Sequence, residues 1–95
     1  YYLLYLERRT PRWFFETWLA RSEDLVNWEL SRLNPVLTPQ GNSEGINASD
    51  PDVVEFQGRT HIYYSVGDQL TWMNTMKCVY PGSLRELFRA YFPDH

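Results

Sequence analysis

The stretch SDPDVVEFQGRTHIYYS, residues 49–65, decides the fold because it holds the most strand-like segments of the chain. Its two halves, DVVEF and RTHIYYS, flank Gln57 and Gly58, and a two-residue connection containing glycine is typical of a β-hairpin. Apolar side chains occur on both faces of this hairpin, Val54 and Phe56 on one and Val53, Ile62 and Tyr64 on the other. We therefore expect a hairpin that is covered on both sides.

Further strands are predicted on either side of this hairpin. Bulky apolar and aromatic side chains mixed with single polar ones predict strands over residues 1–7, 14–22, 28–33 and 70–80. Residues 8–12, which contain Thr10 and Pro11, predict a turn. Residues 34–49 hold prolines, glycines and several Asn and Ser side chains, which predicts a long loop.

A short helix is predicted at the carboxyl end, over residues 83–92. Ser83 and Glu86 have the spacing of a capping box, apolar residues follow at helical intervals, and Pro93 ends the pattern. The predicted fold class is therefore all-β, an antiparallel meander with one short terminal helix. Sandwiches, barrels and propellers all stay open on this pattern alone.

Composition narrows the classes of partner. The chain has 95 residues and a formal net charge of −3, so it has no basic stripe for a nucleic-acid backbone. No apolar run reaches the roughly 18 residues of a membrane span, so we expect neither nucleic acid nor membrane as a partner. Cys78 is the only cysteine and is predicted to be a small buried hydrophobe. Composition sets neither an oligomeric state nor a cellular location.

Two phrases resemble the blade pattern of the five-bladed β-propeller glycoside hydrolases, which include families 43, 32, 62, 68, 117 and 130. The first phrase consists of Ala20, Ser22, Asp24, Leu25 and Trp28. The second consists of Asp50, Pro51, Asp52, Val53, Gly58, Tyr63, Tyr64 and Ser65. The closing YPGSLRELFRAYFP is similar to the carboxyl-terminal tail of some members of these families.

The resemblance implies a partial propeller. Residues 1–33 would be strands of one blade, residues 34–49 an inter-blade loop, and residues 50–80 strands of the next blade, followed by the terminal helix. The chain begins inside a strand-like run without an initiator Met, so we expect it to be part of a larger fold. An isolated fragment of this kind is expected to be catalytically silent, because such enzymes draw their carboxylates from several blades.

The resemblance also implies a carbohydrate substrate and a set of site residues. Asp50 and Glu44 are the expected catalytic residues, since glycosidic cleavage uses one acid and one carboxylate base or nucleophile. Asn47, Asp52 and Trp72 are the expected substrate-binding residues. On a regular extended chain, Asp50 and Asp52 would point the same way about 6.5 Å apart. We expect no metal and no cofactor.

Simpler interpretations stand beside these. An Asp-Pro-Asp run before a strand is often only a turn that caps backbone amides. Trp72 and Trp13 could stack on sugar rings, but a Trp in a strand is more often a core residue. His61 lacks a second ligand at metal-binding spacing. Three functions therefore stay open: part of a glycosidase, a non-catalytic carbohydrate-binding or scaffold propeller, and a small β domain for protein interaction.

Overall fold

A computed structural model describes residues 1–9, 14–40 and 44–93 of the chain as a mixed β-sheet with one short helix. The elements are β1 (Tyr2–Arg9), β2 (Phe14–Arg21), β3 (Glu29–Leu30), β4 (Asn47–Phe56), β5 (Arg59–Gly67), β6 (Met73–Tyr80) and α1 (Leu84–Ala90). The order across the sheet is β1-β2-β4-β5-β6, and β3 pairs with part of β2. The predicted turn over residues 8–12 begins later than expected, since Arg8 and Arg9 belong to β1. Its other residues and the candidate Trp13 lie outside the described residues.

The predicted hairpin is confirmed as β4 and β5. Its turn residues, Gln57 and Gly58, have φ values of 52° and 77°, so both adopt the left-handed conformation of a two-residue type I′ turn. Val53 stands opposite Ile62 in the register that this turn imposes. The local twist of such a turn matches the twist of the strands, which is why this short sequence sets the pairing.

The prediction that the hairpin is covered on both faces is wrong. Ile62 and Tyr64 are buried in a core with Leu37, Ala48, Val66 and Leu87. On the opposite face Val54 is 49 % exposed and Phe56 is 59 % exposed. The difference arises because α1 and the segment around Leu37 pack on one face only, and within residues 44–93 no element covers the other.

A β-bulge interrupts β4 at the candidate residue Asp50. Ser49 pairs with Ser65, whereas Asp52 pairs with Tyr63, so Asp50 and Pro51 together oppose a single residue of β5. Asp50 has a φ of 53°, which is uncommon for a residue with a side chain. A proline, which lacks an N–H donor, is tolerated at such an irregularity.

The antiparallel prediction is wrong at one junction, because β2 and β4 run parallel through the pair Phe15 and Asn47. All other strand pairs are antiparallel. The predicted loop over residues 34–49 is also shorter than expected, since Asn47 to Ser49 belong to β4 and Leu37 forms an isolated bridge with Thr17.

Part of the edge of β2 is occupied by a side chain instead of a strand. Ala20 and Arg21 pair with β3, and the next residue along, Leu19, is bound by the side chain of Asn34. Asn34 Oδ1 accepts from the Leu19 N–H at 2.8 Å, and its Nδ2 donates to the Leu19 carbonyl at 3.0 Å, as a neighbouring strand would. The predicted strand over residues 28–33 is therefore reduced to Glu29–Leu30, because a side chain takes its place and satisfies the backbone.

The terminal helix forms as predicted. Ser83 accepts from the Glu86 amide at 3.1 Å while the Glu86 side chain accepts from the Ser83 amide at 3.1 Å, which completes the capping box. Leu87 is buried against the sheet, and Phe88 stacks on Tyr2 with ring centroids 4.5 Å apart. Among the described residues no helix combines the length and apolar character needed to cross a membrane.

Two loops share one local structure, at Asp24 and at Asp68. Asp24 accepts from the amides of Val26 and Asn27 and from the Asn27 side chain. Asp68 accepts from the amides of Leu70 and Thr71 and from the Thr71 hydroxyl. The residue after each Asp, Leu25 or Gln69, has a positive φ, and a Trp follows four residues after each Asp. We call these segments the Asp24 loop (residues 24–28) and the Asp68 loop (residues 68–72).

Candidate functional site

Glu44 is a buried carboxylate whose two oxygens are both engaged. Its side chain is 5 % exposed; Oε1 accepts from the Gln40 amide at 3.0 Å and Oε2 accepts from the Tyr64 hydroxyl at 3.1 Å. Burial, followed by this bond to Glu44, raises the pKa of Tyr64 to about 12. Glu44 therefore lies on the core side of the sheet, with the Tyr64 hydroxyl held protonated at its carboxylate.

The backbone next to Glu44 closes on Gly67 of β5. The Gly67 amide donates to the Glu44 carbonyl at 2.8 Å, and the Ile46 amide donates to the Gly67 carbonyl at 2.9 Å. A Cβ on Gly45 would stand 2.3 Å from the Gly67 oxygen, so this approach requires glycine at position 45. We call the two joined segments, residues 44–47 and 67–72, the Gly67 junction.

Asn47 is fully buried within the Gly67 junction and pairs with Gly67 in the sheet. Its Oδ1 accepts from the Ser49 hydroxyl at 2.7 Å, while its Nδ2 has no hydrogen-bond partner within residues 1–9, 14–40 and 44–93. An unpaired buried donor costs about 1–3 kcal/mol, and folded proteins keep few of them. Asn47 is therefore a predicted binding residue whose side-chain donor is enclosed and unsatisfied by the described residues.

Trp72 ends the Asp68 loop and completes the Gly67 junction. Its backbone carbonyl accepts from the Asp68 amide at 3.3 Å, and its side chain is 39 % exposed. Hydrogen bonds, first from the Thr71 hydroxyl and then from the loop amides, hold the pKa of Asp68 well below its ordinary value of 3.8. The structure thus brings together three of the five predicted site residues, Glu44, Asn47 and Trp72, around one glycine.

Asp50 and Asp52 lie further along β4 and are both exposed. Asp52 is paired with Tyr63, and successive residues of β5 face opposite sides, so Asp52 is on the other face from Tyr64 and Glu44. The expected parallel projection of Asp50 and Asp52 assumed a regular strand. The bulge and the positive φ of Asp50 remove that regularity.

A second buried carboxylate, Glu16 on β2, was missed by sequence reasoning. It is 6 % exposed and accepts from Trp18 Nε1 at 3.0 Å and from the Thr38 hydroxyl at 2.7 Å. Arg9 Nε lies 3.7 Å from its Oε1, and Glu7 stands opposite it on β1. The available signal was the Glu and Trp two residues apart on one strand, a spacing that places both on the same face.

The other side chains with possible reactivity or metal affinity are Cys78 and His61, and both are packed against neighbouring residues. Cys78 is partly buried, and burial together with nearby Glu44 raises the pKa of its thiol. His61 packs edge-on against Phe56 with centroids 6.5 Å apart. Over residues 1–9, 14–40 and 44–93, no three His, Cys, Asp or Glu side chains converge as a metal site requires.

Comparisons with protein-family models, with curated proteins and with solved structures found no match to this chain.

Proposed function

We propose that this chain is part of a five-bladed β-propeller glycoside hydrolase, in which Asp50 supplies a carboxylate for cleavage of a glycosidic bond. The Gly67 junction would bind the carbohydrate beside it. The proposal rests on the two blade-like phrases in the sequence and on the structural setting of the residues between them.

The observation that carries the proposal is the conformation of Asp50. An exposed carboxylate is held at a positive φ in a β-bulge, directly before a proline. Bulges are over-represented next to active sites, where they redirect a side chain. A left-handed non-glycine residue costs of order 1–3 kcal/mol, and such residues cluster at functional sites.

Glu44 and Asn47 take supporting roles in this proposal. Since both oxygens of Glu44 already accept hydrogen bonds, it positions the junction through Gln40 and Tyr64. A proton-donor role for Glu44 would require one of these bonds to open. The Nδ2 of Asn47 is buried and has no partner among the described residues, so a sugar hydroxyl would satisfy it if the junction opened to admit one.

The two Asp loops support the repeated architecture that a propeller needs. The separation of Asp24 and Asp68 along the sequence is within the roughly 40–50 residues of one propeller blade. The hydrogen-bond patterns of the two loops also correspond. Each loop follows the second strand of a hairpin, β2 or β5. This correspondence favours two related units in the chain.

In chemical terms, Asp50 would act as the base that activates water or as the nucleophile that attacks the sugar. Either role needs a second carboxyl group that protonates the leaving oxygen. We expect that acid to come from another blade of the natural protein. The separation of the two carboxyl groups would then decide between retention and inversion.

The test compares Asp50→Asn with Asp52→Asn in the natural protein that contains this chain. Turnover of aryl glycosides and of plant, algal and microbial polysaccharides is measured for both variants. Loss of acid–base catalysis predicts a decrease of roughly 10²–10⁴-fold or more for Asp50→Asn. The Asp52→Asn control should stay within a few-fold of the parent. Near-normal turnover by Asp50→Asn would remove this residue from the mechanism.

One observation favours a second candidate, a carbohydrate-binding propeller without hydrolysis. Both oxygens of Glu44 accept hydrogen bonds within the fold, from the Gln40 amide and the Tyr64 hydroxyl. Glu44 is therefore not free to act as the acid that Asp50 would need. Sugar affinity that persists in Asp50→Asn, combined with no turnover by the parent protein, would favour this candidate.

A further inference from the structure

A groove of about 760 Å³ lies at the end of the β1–β2 hairpin, between the strand ends, the Asp24 loop and α1. Its walls are aromatic rings and charged side chains, among them Tyr1, Tyr2, Arg21, Glu23, Arg89 and Phe92. This volume is within the range of small-molecule binding sites. We call it the β1–helix groove.

The floor of the groove is fixed by packing. Tyr2 stacks on Phe88 and lies 6.2 Å from the ring of Phe92. The Arg21 guanidinium lies 4.1 Å from the Phe92 ring centroid and is also bound to Glu29 at 2.8 Å. An aromatic surface that is already ordered loses little conformational entropy when a ligand stacks on it.

The polar groups left available in the groove are few. The Asp24 carboxylate is used by its own loop, and Arg21 is paired with Glu29. Arg89 and Glu23 are exposed and have no ion-pair partner among the described residues. Donors and acceptors of this kind, together with the hydroxyl groups of Tyr1 and Tyr2 beside their exposed rings, fit a neutral ligand that carries many hydroxyl groups.

The groove is separate from the candidate site. Arg21 is at one end of β2, and Phe15, which pairs with Asn47, is near the other. At the rise of an extended strand these positions are roughly 20 Å apart. A ligand of a few sugar rings in the groove would therefore leave the Gly67 junction open.

We propose that the β1–helix groove is an ancillary binding site for a neutral oligosaccharide. The inference rests on the proposed function for its ligand class and adds a second place where the glycan is held. Tyr2 would stack on a sugar ring, Arg89 would donate to its hydroxyl groups, and Glu23 would accept from them. The groove would tether a chain whose cleavage occurs elsewhere.

The experiment uses isothermal titration calorimetry on the natural protein with cellohexaose, xylohexaose, mannohexaose and chitohexaose. Arg89→Ala is compared with Arg85→Ala, because both remove an exposed arginine from α1 but only Arg89 lines the groove. Loss of a charge-assisted hydrogen bond predicts roughly tenfold weaker binding for Arg89→Ala. Arg85→Ala should bind as the parent does.

Glu23→Gln provides an independent variant, since Glu23 is exposed in a loop and its neutralisation leaves the helix unchanged. It should weaken binding of the same hexasaccharide several-fold. Equal affinities for Arg89→Ala and Arg85→Ala, or no binding of any of these sugars, would overturn the proposal. Weaker binding by Asp50→Asn alone would place the sugar at the Gly67 junction and would also overturn it. In each case the turnover of Asp50→Asn tests the proposed function separately.

Discussion

The Asp24 loop and the Asp68 loop have the same local structure but are followed by very different strands. In each loop an Asp side chain accepts from the amides two and three residues ahead. The Trp that ends each loop, Trp28 or Trp72, is 39 % exposed. After the Asp24 loop comes a strand of two residues, whereas after the Asp68 loop comes a strand of eight.

The difference shows that a loop sets the direction of the chain, while the free edge of the neighbouring strand sets how long the next strand becomes. The edge of β5 is open to β6 along most of its length. The edge of β2 is shared between β3, the Asn34 side chain, Leu37 and the start of β4. A strand of eight residues has no room there.

The two loops also differ in the residue before the Asp. In the Asp68 loop this is Gly67, with a φ of 143°, and a Cβ there would stand 2.3 Å from the Trp72 carbonyl oxygen. In the Asp24 loop it is Glu23, which is exposed. The Asp68 loop therefore closes more tightly on its strands.

The prediction with the largest expected effect concerns the close backbone contact at Gly67. Gly67→Ala should lower the free energy of unfolding by about 3 kcal/mol or more, because the new methyl group overlaps backbone and the φ is strained. Glu23→Ala is the matched control and should change it by less than about 0.5 kcal/mol. Urea denaturation of both variants gives the comparison, and equal stabilities would show that the Gly67 closure is not tight.

The prediction with the next largest effect concerns the edge of β2, which several segments share. Asn34→Ala removes the two hydrogen bonds between the Asn34 side chain and the Leu19 backbone. The Leu19 carbonyl keeps its bond from the Ser31 amide, but the Leu19 N–H loses its partner, so we expect a loss of about 1–3 kcal/mol in unfolding free energy. Asn74→Ala on exposed β6 is the control, since the Asn74 side chain accepts only from the adjacent Thr75 amide. Hydrogen exchange at Leu19 should accelerate in the first variant alone, and unchanged protection there would contradict the edge argument.

The prediction with the smallest expected effect tests whether the two loops lower the pKa of their Asp residues in the same way. The pKa of Asp24 is lowered by hydrogen bonds, first from the Asn27 amide and then from the Val26 amide, and that of Asp68 by its own loop. A lowered folded pKa contributes stability that is present above the unfolded value of 3.8 and is lost as the pH falls below it. The urea concentration at the unfolding midpoint should therefore decrease as the pH is lowered from about 5 to about 2.

Asp24→Asn and Asp68→Asn should each flatten this acid dependence by a similar amount, with the double variant flatter than either. A slope that is unchanged in one single variant would show that the two loops, despite their matching hydrogen bonds, are not equivalent. Circular dichroism at each pH separates loss of the fold from a change in the denaturant response.

Parts of the fold with local signals could be predicted from the sequence. The turn at Gln57 and Gly58 and the capping box of Ser83 and Glu86 depend on neighbours a few residues apart. The short β3 and the parallel pairing of β2 with β4 could not be predicted. The short β3 depends on the Asn34 side chain taking the place of a strand at Leu19. The parallel pairing depends on the single pair of Phe15 and Asn47, and no pattern of hydrophobic alternation encodes either contact.

The candidate site divides in the same way. The polar run that contains Glu44 and Asn47 is visible in the sequence, but their burial is not, because it depends on Tyr64 and Gly67 from a later strand. Glu16 was hidden inside an apolar strand, and its contact with Thr38 comes from a segment that read as loop. The sequence identified the polar residues of the candidate site, whereas tertiary contacts determine which of its carboxylates are buried.

The bulge at Asp50 also determines which side chains in each half of β4 face the core. Ala48 and Val53 both pack in the core, yet they are an odd number of residues apart and would face opposite sides of a regular strand. The extra residue shifts the alternation of β4 by half a period, so that both halves of the strand stay in phase with the core. Deleting Asp50 or Pro51 would turn one half inside out, and would test folding before it tested any chemistry at Asp50.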